Sequence, residues 1–236
     1  RKMAKRPEKE TVLQRLSRVY GERGILFPFQ TFAKKIQRLY RRYVFDHWEL
    51  AVCIRNNEDP LPNIPRHFSE GLDVRLATPE DTEYYASREW RHLQKRFDTL
   101  IRDPHFASLI GIADGKMVSQ GFWYRGPFKD PWLKEKFDNG PTTLYSFGGE
   151  TSPTAQGKGI ALIGMNWLFE RLEKEFNCDQ VMVYYRMGNR VSKRLHDRYW
   201  FVPQFVLDWY KIGPFRFSRR LPVPEEYQLQ RPMQQQ

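Results

Sequence analysis

A mixed α/β fold around a central sheet is predicted for this 236-residue chain, and three observations predict it. An uncharged run at residues 144–147 gives way, through a glycine-bearing loop, to an apolar helix at 160–176. A β-branched and aromatic run at 180–185 then reads as a buried strand. Beyond it Asn189 is a good N-cap for a short helix with Val191, Leu195 and Tyr199 on one face. Strand, loop, helix, strand and helix in that order build a layered α/β core.

The elements follow in chain order. Residues 1–10 are charged and expected to fray. Val12, Leu13, Leu16, Val19 and Tyr20 fit an amphipathic helix closed near Gly21 and Gly24. A second helix is expected over 31–44, with Phe32, Ile36, Leu39, Tyr40 and Tyr43 as its apolar stripe and Lys34, Lys35, Arg38, Arg41 and Arg42 elsewhere. A Pro-rich linker at 60–65 closes a basic helical N-terminal extension spanning 1–70. Residues 73–76 then read as a first strand, and Thr78 caps a helix with Asp81 three residues on. That helical region runs to about residue 101 and carries Tyr84, Tyr85, Trp90 and Phe97. Residues 108–113 and 116–124 form a hairpin around Asp114-Gly115. An insertion rich in Pro, Lys, Asp and aromatics occupies 126–141. Residues 204–212 and 215–219 supply two last strands, the main domain covers 71–221, and the tail 222–236 is expected to be disordered.

Charge is unevenly placed. The net charge is +11, and the first 44 residues hold 13 Lys or Arg against 3 acidic residues. The rest is almost neutral, so the excess points to a partner of the extension: an acidic peptide or a membrane surface. Nucleic acid is disfavoured, because RNA would call for basic residues on the main domain too. No run of 18 uncharged apolar residues occurs, and the basic N-terminus lacks the apolar core of a signal peptide. A cytoplasmic or membrane-peripheral protein is expected, and a homodimer is compatible with the chain. The two cysteines, Cys53 and Cys178, read as ordinary thiols. Five histidines without H-E-x-x-H or H-x-x-x-H spacing argue against a metal.

Residues 151–161, T-S-P-T-A-Q-G-K-G-I-A, carry the chemistry. Gly157, Gly159 and Ala161 stand with no acidic side chain where strand turns into helix. Unpaired N–H groups at the positive end of a helix dipole, behind small side chains, make a phosphate cradle. Neither G-x-x-x-x-G-K-[ST] nor an early G-x-G-x-x-G is present.

Gln156-x-x-Gly159-x-Ala161 resembles the [QR]-x-x-G-x-[GA] pyrophosphate signature of the GNAT superfamily of acyl-CoA N-acyltransferases. Asn189-x-x-Ser192-x-x-Leu195-His196, ending in Tyr199-Trp200-Phe201, is similar to the second GNAT pattern, N-x-x-[AS]-x-x-L-Y-x-x-x-G-F. Order and spacing both match over about residues 72–215. The chain departs at His196, where the family usually has Tyr, and at Trp200, where it usually has Gly. The resemblance implies a mixed sheet splayed between two central strands, with helices on both faces. It also implies direct transfer of an acetyl or longer acyl group from acyl-CoA to an amine, without a metal.

On that resemblance, Thr151, Gln156, Gly157, Lys158, Gly159, Ile160 and Ala161 hold CoA, with Asn189 and Ser192 beside its pantetheine arm. A backbone N–H near a bulge at 150–151 receives the carbonyl oxygen. Glu150 is the first candidate for general base, with Tyr145 and Asp208 as fallbacks. His196 is the candidate proton donor to the thiolate, its unperturbed pKa of about 6.5 suiting that role. Tyr84, Tyr85, Trp90, Trp123 and Tyr124 wall the acceptor site, one of Tyr184 and Tyr185 at the wedge faces the acyl chain, and the insertion at 126–141 is expected as a lid. The acceptor is a small-molecule amine, an amino sugar, or a Lys- or ornithine-like peptide side chain. A tRNA-dependent aminoacyl transferase and a binding-only module are the alternatives.

Overall fold

Trp48 and the continuous apolar run at 50–54 build a strand buried on both faces of the sheet. In the computed structural model, which describes residues 44–65 and 70–228 together with Gln37 and Tyr40, this is β1 (Phe45–Asn56). The chain divides into two compact units, Arg1–Asp46 with Tyr210–Phe215 and His47–Trp209 with Arg216–Gln236. In the described part of the first, Val44 O accepts from Gly213 N at 2.7 Å. The helices expected over 12–20 and 31–44 lie outside the described residues, apart from Gln37 and Tyr40, which are helical.

Strand β2 (Leu72–Leu76), β3 (Phe106–Ala113) and β4 (Lys116–Arg125) form an antiparallel meander. Asp114 and Gly115 join β3 to β4 with φ of 50° and 69°, the conformation that a two-residue Asp-Gly turn requires. A small separate hairpin, β5 (Phe128–Lys129) and β6 (Lys136–Phe137), precedes β7 (Thr143–Thr151). Strands β8 (Gln180–Arg186), β9 (Val202–Ile212) and β10 (Phe215–Leu221) complete an eight-stranded sheet in the order β10-β9-β1-β8-β7-β4-β3-β2. Among the registered pairs only β7 with β8 is parallel.

Helices cover both faces. The stretch expected as one helix to residue 101 is capped by Thr78, whose N–H donates to Asp81 Oδ2 at 2.7 Å. It then divides into α1 (Thr82–Ala86) and α2 (Arg91–Leu100). The apolar run from Ile160 likewise divides, into α3 (Ile160–Phe169) and α4 (Leu172–Phe176), and α5 is Arg190–Arg198. Leu93 and Phe97 of α2 pack with Tyr85, Phe122 and Phe147 on one face. Met165 and Leu168 of α3 pack with Leu109, Trp123 and Tyr185 on the other.

Three expectations need correction. The span assigned to a helical extension and linker contains β1, a central strand with Ala51, Val52 and Cys53 almost wholly buried. The insertion at 126–141 is no lid: Phe128, Leu133 and Phe137 are buried in the core, and Asp130 lies beneath them. Its carboxylate accepts from the N–H groups of Trp132 and Leu133, both at 2.7 Å, which fixes the hairpin turn. In the tail, residues 222–228 are ordered, and Tyr227 Oη accepts from Gly188 N at 3.2 Å.

Candidate active site

Parallel pairing of β7 with β8 runs from Thr143–Gln180 to Ser146–Val183 and stops there, although both strands continue. Past that point β8 follows β1, through Val52–Tyr184 and Leu50–Arg186. β7 follows β4 instead, through Gln120–Glu150 and Ser119–Thr151. Each strand keeps its outer neighbour while the two diverge, so backbone groups on the inner edges of the wedge lose their ladder partners. A bulge widens the gap: Gly148 and Gly149 together oppose Gly121 alone. Gly148 has φ of +68°, a backbone that side chains with a Cβ resist, and the Gln120 side-chain amide donates to its carbonyl. The bulge thus lies just before the position expected at 150–151.

A cleft of about 680 Å³ occupies the wedge. At one end stands the glycine loop. Gly157 and Gly159 have φ of +79° and +73°, and a Cβ at Gly157 would meet nothing within 4 Å. Gly159 is the N-cap of α3, and its carbonyl accepts from Leu162 and Ile163. The N–H groups of Ile160 and Ala161 at the helix mouth have no intrahelical acceptor. Gln156 Nε2 donates to Thr151 O at 3.2 Å and holds the loop against the strand end. Thr151, Gln156, Ile160, Ala161, Asn189 and Ser192 line the cleft. Gly157, Lys158 and Gly159 shape the loop without lining the cleft. Asn189 accepts from Ser192 N at 3.1 Å, the N-cap bond expected for α5.

The two faces of the wedge differ. On the α2 face, Gln120 pairs with Glu150, and His92 Nε2 lies 3.1 Å from both Glu150 carboxylate oxygens. Its Nδ1 faces Glu89 O at 3.2 Å. Trp48 and Arg186 also line this part, the guanidinium 3.7 Å above the indole. His92, Trp48 and Arg186 escaped sequence reasoning. The apolar run at 50–54 was the available signal for β1, while nothing local marks His92 as a partner of Glu150.

Several expected residues take other roles. Tyr145 is fully buried, its hydroxyl donating to Asp130 Oδ2 at 3.2 Å, and burial raises its pKa well above the usual range. Asp208 is buried between His47 at 2.7 Å and Arg219 at 2.6 Å. Neither lines the cleft. Tyr85 bonds Ser108 and Trp90 donates to Met117 O, so both are core residues; Tyr84 packs against that core, and Tyr124 donates to Asp103. Trp123 and Tyr185 do line the cleft. Tyr185 is committed to Cys53, whose thiol is pushed up to about 12 by burial. Val191, expected on the apolar face of α5, is exposed.

His196, the expected proton donor, lines the cleft. Burial pushes its pKa down to about 4, so the ring is neutral near neutrality. Its Nδ1 lies 2.7 Å from Ser192 O, so the single N–H is spent there and Nε2 is left as an acceptor. The ring stacks on Tyr185 with centroids 5.1 Å apart. Trp200, in the place of the family glycine, takes a left-handed backbone with φ of 63°. The chain thus keeps the tight turn without the residue that adopts it most easily.

A mixed sheet splayed beside a glycine-capped helix, with the meander on one side and the Asn-capped helix on the other, decides the architecture. The chain has the GNAT fold. Strand β1 lies between β8 and β9 in its sheet. No family model and no curated protein matches the sequence. Among solved structures, the chain is similar to a Drosophila protein at 16% identity, covering 78% of this chain, with a TM-score of 0.47. It spans 58% of that protein's chain. A ribosomal-protein-alanine N-acetyltransferase from Brucella melitensis is 16% identical over 54% of this chain and 89% of its own, with a TM-score of 0.42. A GCN5-related N-acetyltransferase from Kribbella flavida is 12% identical over 76% and 64%, with a TM-score of 0.47. Identities at this level leave activity to be read from the cleft itself.

Proposed function

We propose that this chain is an acyl-CoA-dependent N-acyltransferase that moves an acetyl or longer acyl group to a primary amine. The observation that carries this reading is the wedge ending at the mouth of α3. A diphosphate seated on the Gly157–Ala161 amides sends the pantetheine arm between β7 and β8, where the opened strand edges offer backbone partners to its amides. Its thioester then comes to the Gly148–Gly149 bulge, where backbone N–H groups outside the β4 ladder suit the developing oxyanion.

Glu150 and His92 support an amine acceptor. The ammonium proton passes to the Glu150 carboxylate, and the freed lone pair attacks the thioester carbonyl. Collapse breaks the C–S bond, and the second proton lost by nitrogen ends on sulfur, giving amide, thiol and a protonated Glu150. His92 holds Glu150 toward the cleft and is a positioning residue. Trp48 and Tyr184 add aromatic surface for an amphipathic amine. The basic residues before Phe45 favour delivery from an anionic partner, an acidic peptide or membrane surface.

The test incubates the protein with acetyl-CoA and a panel of small amines, amino sugars and Lys- or ornithine-containing peptides, and measures thiol release. Thiol formed in proportion to an acylated amine supports the reading. CoA binding with no turnover across the panel would return the chain to a binding module.

A further inference from the structure

Arg96 is half-buried on α2, four residues after His92, so it lies one helical turn along on the same side of that helix, about 6 Å away. Its guanidinium packs over the bulge. A Cβ on Gly148 would come within 3.2 Å of Nη1, so the bare glycine makes the room. The Phe147 ring centre lies 5.9 Å from the guanidinium carbon. Burial raises the pKa of Tyr184, and the Arg96 charge opposes that rise. Phe147, Gly148 and Tyr184 all line the cleft, so Arg96 stands at its rim, on the face that holds Glu150. Among the described residues no carboxylate or carbonyl accepts from this guanidinium, and its nitrogens keep solvent access. Arg186, over the Trp48 indole, adds a second positive charge to the same part of the cleft.

A half-buried guanidinium with open donors is a site for an anion, and its planar fork matches a carboxylate through two parallel N–H···O bonds. Glu150, bonded to His92, presents the opposite charge two residues beyond Gly148 on β7, roughly 7 Å along a strand. The face therefore offers a carboxylate for an ammonium and, close by, a guanidinium for a carboxylate. A zwitterion with one or two carbons between its ends answers both groups. A plain alkylamine or an amino sugar leaves Arg96 unmatched. This inference rests on the acyl-transfer reading above and names its acceptor. We propose that Arg96 binds a carboxylate on the acceptor, so that the acceptor is a free amino acid and the product an N-acylamino acid. The amine loses its protons to Glu150 and to the CoA sulfur as before, and the carboxylate takes no part in bond making.

The test measures thiol release by the full chain at saturating acetyl-CoA, comparing glycine, alanine and phenylalanine with glycinamide, alaninamide and phenylalaninamide. The carboxamides are the weaker bases and hold more free amine near neutrality, so a preference for the acids has to come from binding. The amino acids are expected to show a kcat/KM about tenfold or more higher, carried by KM. Arg96→Gln should bring that ratio to about one by raising the amino-acid KM. Turnover of carboxamides, amino sugars or peptides at or above the amino-acid rate in the parent overturns this inference alone and leaves the transferase reading standing. A preference that survives in Arg96→Gln also overturns it. So does a fall in kcat shared by both series, which would put the guanidinium on the thioester instead. No thiol release with any amine overturns the transferase reading and this inference with it.

Discussion

Glu150 on β7 and His92 on α2 meet across the open face of the wedge, with the imidazole Nε2 equidistant from both carboxylate oxygens at 3.1 Å. Both side chains are about half exposed. The bulge at Gly148–Gly149 sets which face Glu150 occupies: a regular ladder would turn it toward α3. Glu150→Gln should therefore lower kcat by about 10²-fold or more while the Kd for CoA stays unchanged. His92→Gln, acting through position alone, should cost less, and its loss should fall on kcat more than on CoA affinity. Steady-state thiol release alongside calorimetry separates these. Wild-type turnover in Glu150→Gln would remove the carboxylate from the mechanism.

Tyr145 provides the opposite case. Its hydroxyl donates to Oδ2 of the buried Asp130, whose Oδ1 receives two backbone N–H groups. Tyr184 also hydrogen-bonds this carboxylate, so removing the Tyr145 hydroxyl does not leave Asp130 without a side-chain donor. Tyr145→Phe should cost about 1 kcal/mol of stability by denaturant unfolding, with turnover within about twofold of the parent. A loss of turnover beyond tenfold at unchanged stability would restore Tyr145 to the chemistry.

Much of this site was legible in the sequence because glycine and capping residues act locally. Gln156, Gly159, Ala161, Asn189 and Ser192 fix backbone within a few positions of themselves, so their pattern survives without knowledge of the fold. Strand faces were not legible, since a single bulge reverses the alternation on which any orientation rests. Tyr85 and Trp90, on and between the two short helices, were expected in the acceptor wall, but they point into the core because which helix face packs on the sheet is set by the fold. The placement of β1 depends on residues more than 120 positions away in β8, and the Glu150–His92 contact spans 58 positions. His196 shows a third limit: its residue type allows proton donation, but burial lowers its pKa and the Ser192 carbonyl takes its N–H.

Neutral burial of His196 has a pH signature. Its folded pKa, pushed down to about 4, lies below the unfolded value of 6.5. Between these values the unfolded chain binds a proton that the folded chain refuses. Stability is therefore fully present above about pH 6.5 and falls as the solution is acidified toward about 4. The loss from this residue reaches about 3 kcal/mol. Comparing denaturant midpoints at pH 7 and pH 4.5 for the parent and His196→Phe should give a smaller drop in the variant. Equal drops would place the acid sensitivity elsewhere.

The central claim is that amides at the mouth of α3 grip the diphosphate of CoA. Ala161 lies in the first turn, exposed, lining the cleft and free of the positive φ that burdens Gly157 and Gly159. Glutamate there suits the helix dipole, so Ala161→Glu should fold as the parent does and place an anion where the diphosphate binds. Calorimetric titration with acetyl-CoA is the most direct measurement. Saturable binding by the parent, weakened about 100-fold or more in folded Ala161→Glu, is the predicted result. Undiminished affinity in that variant, or no binding by the parent, would contradict the account.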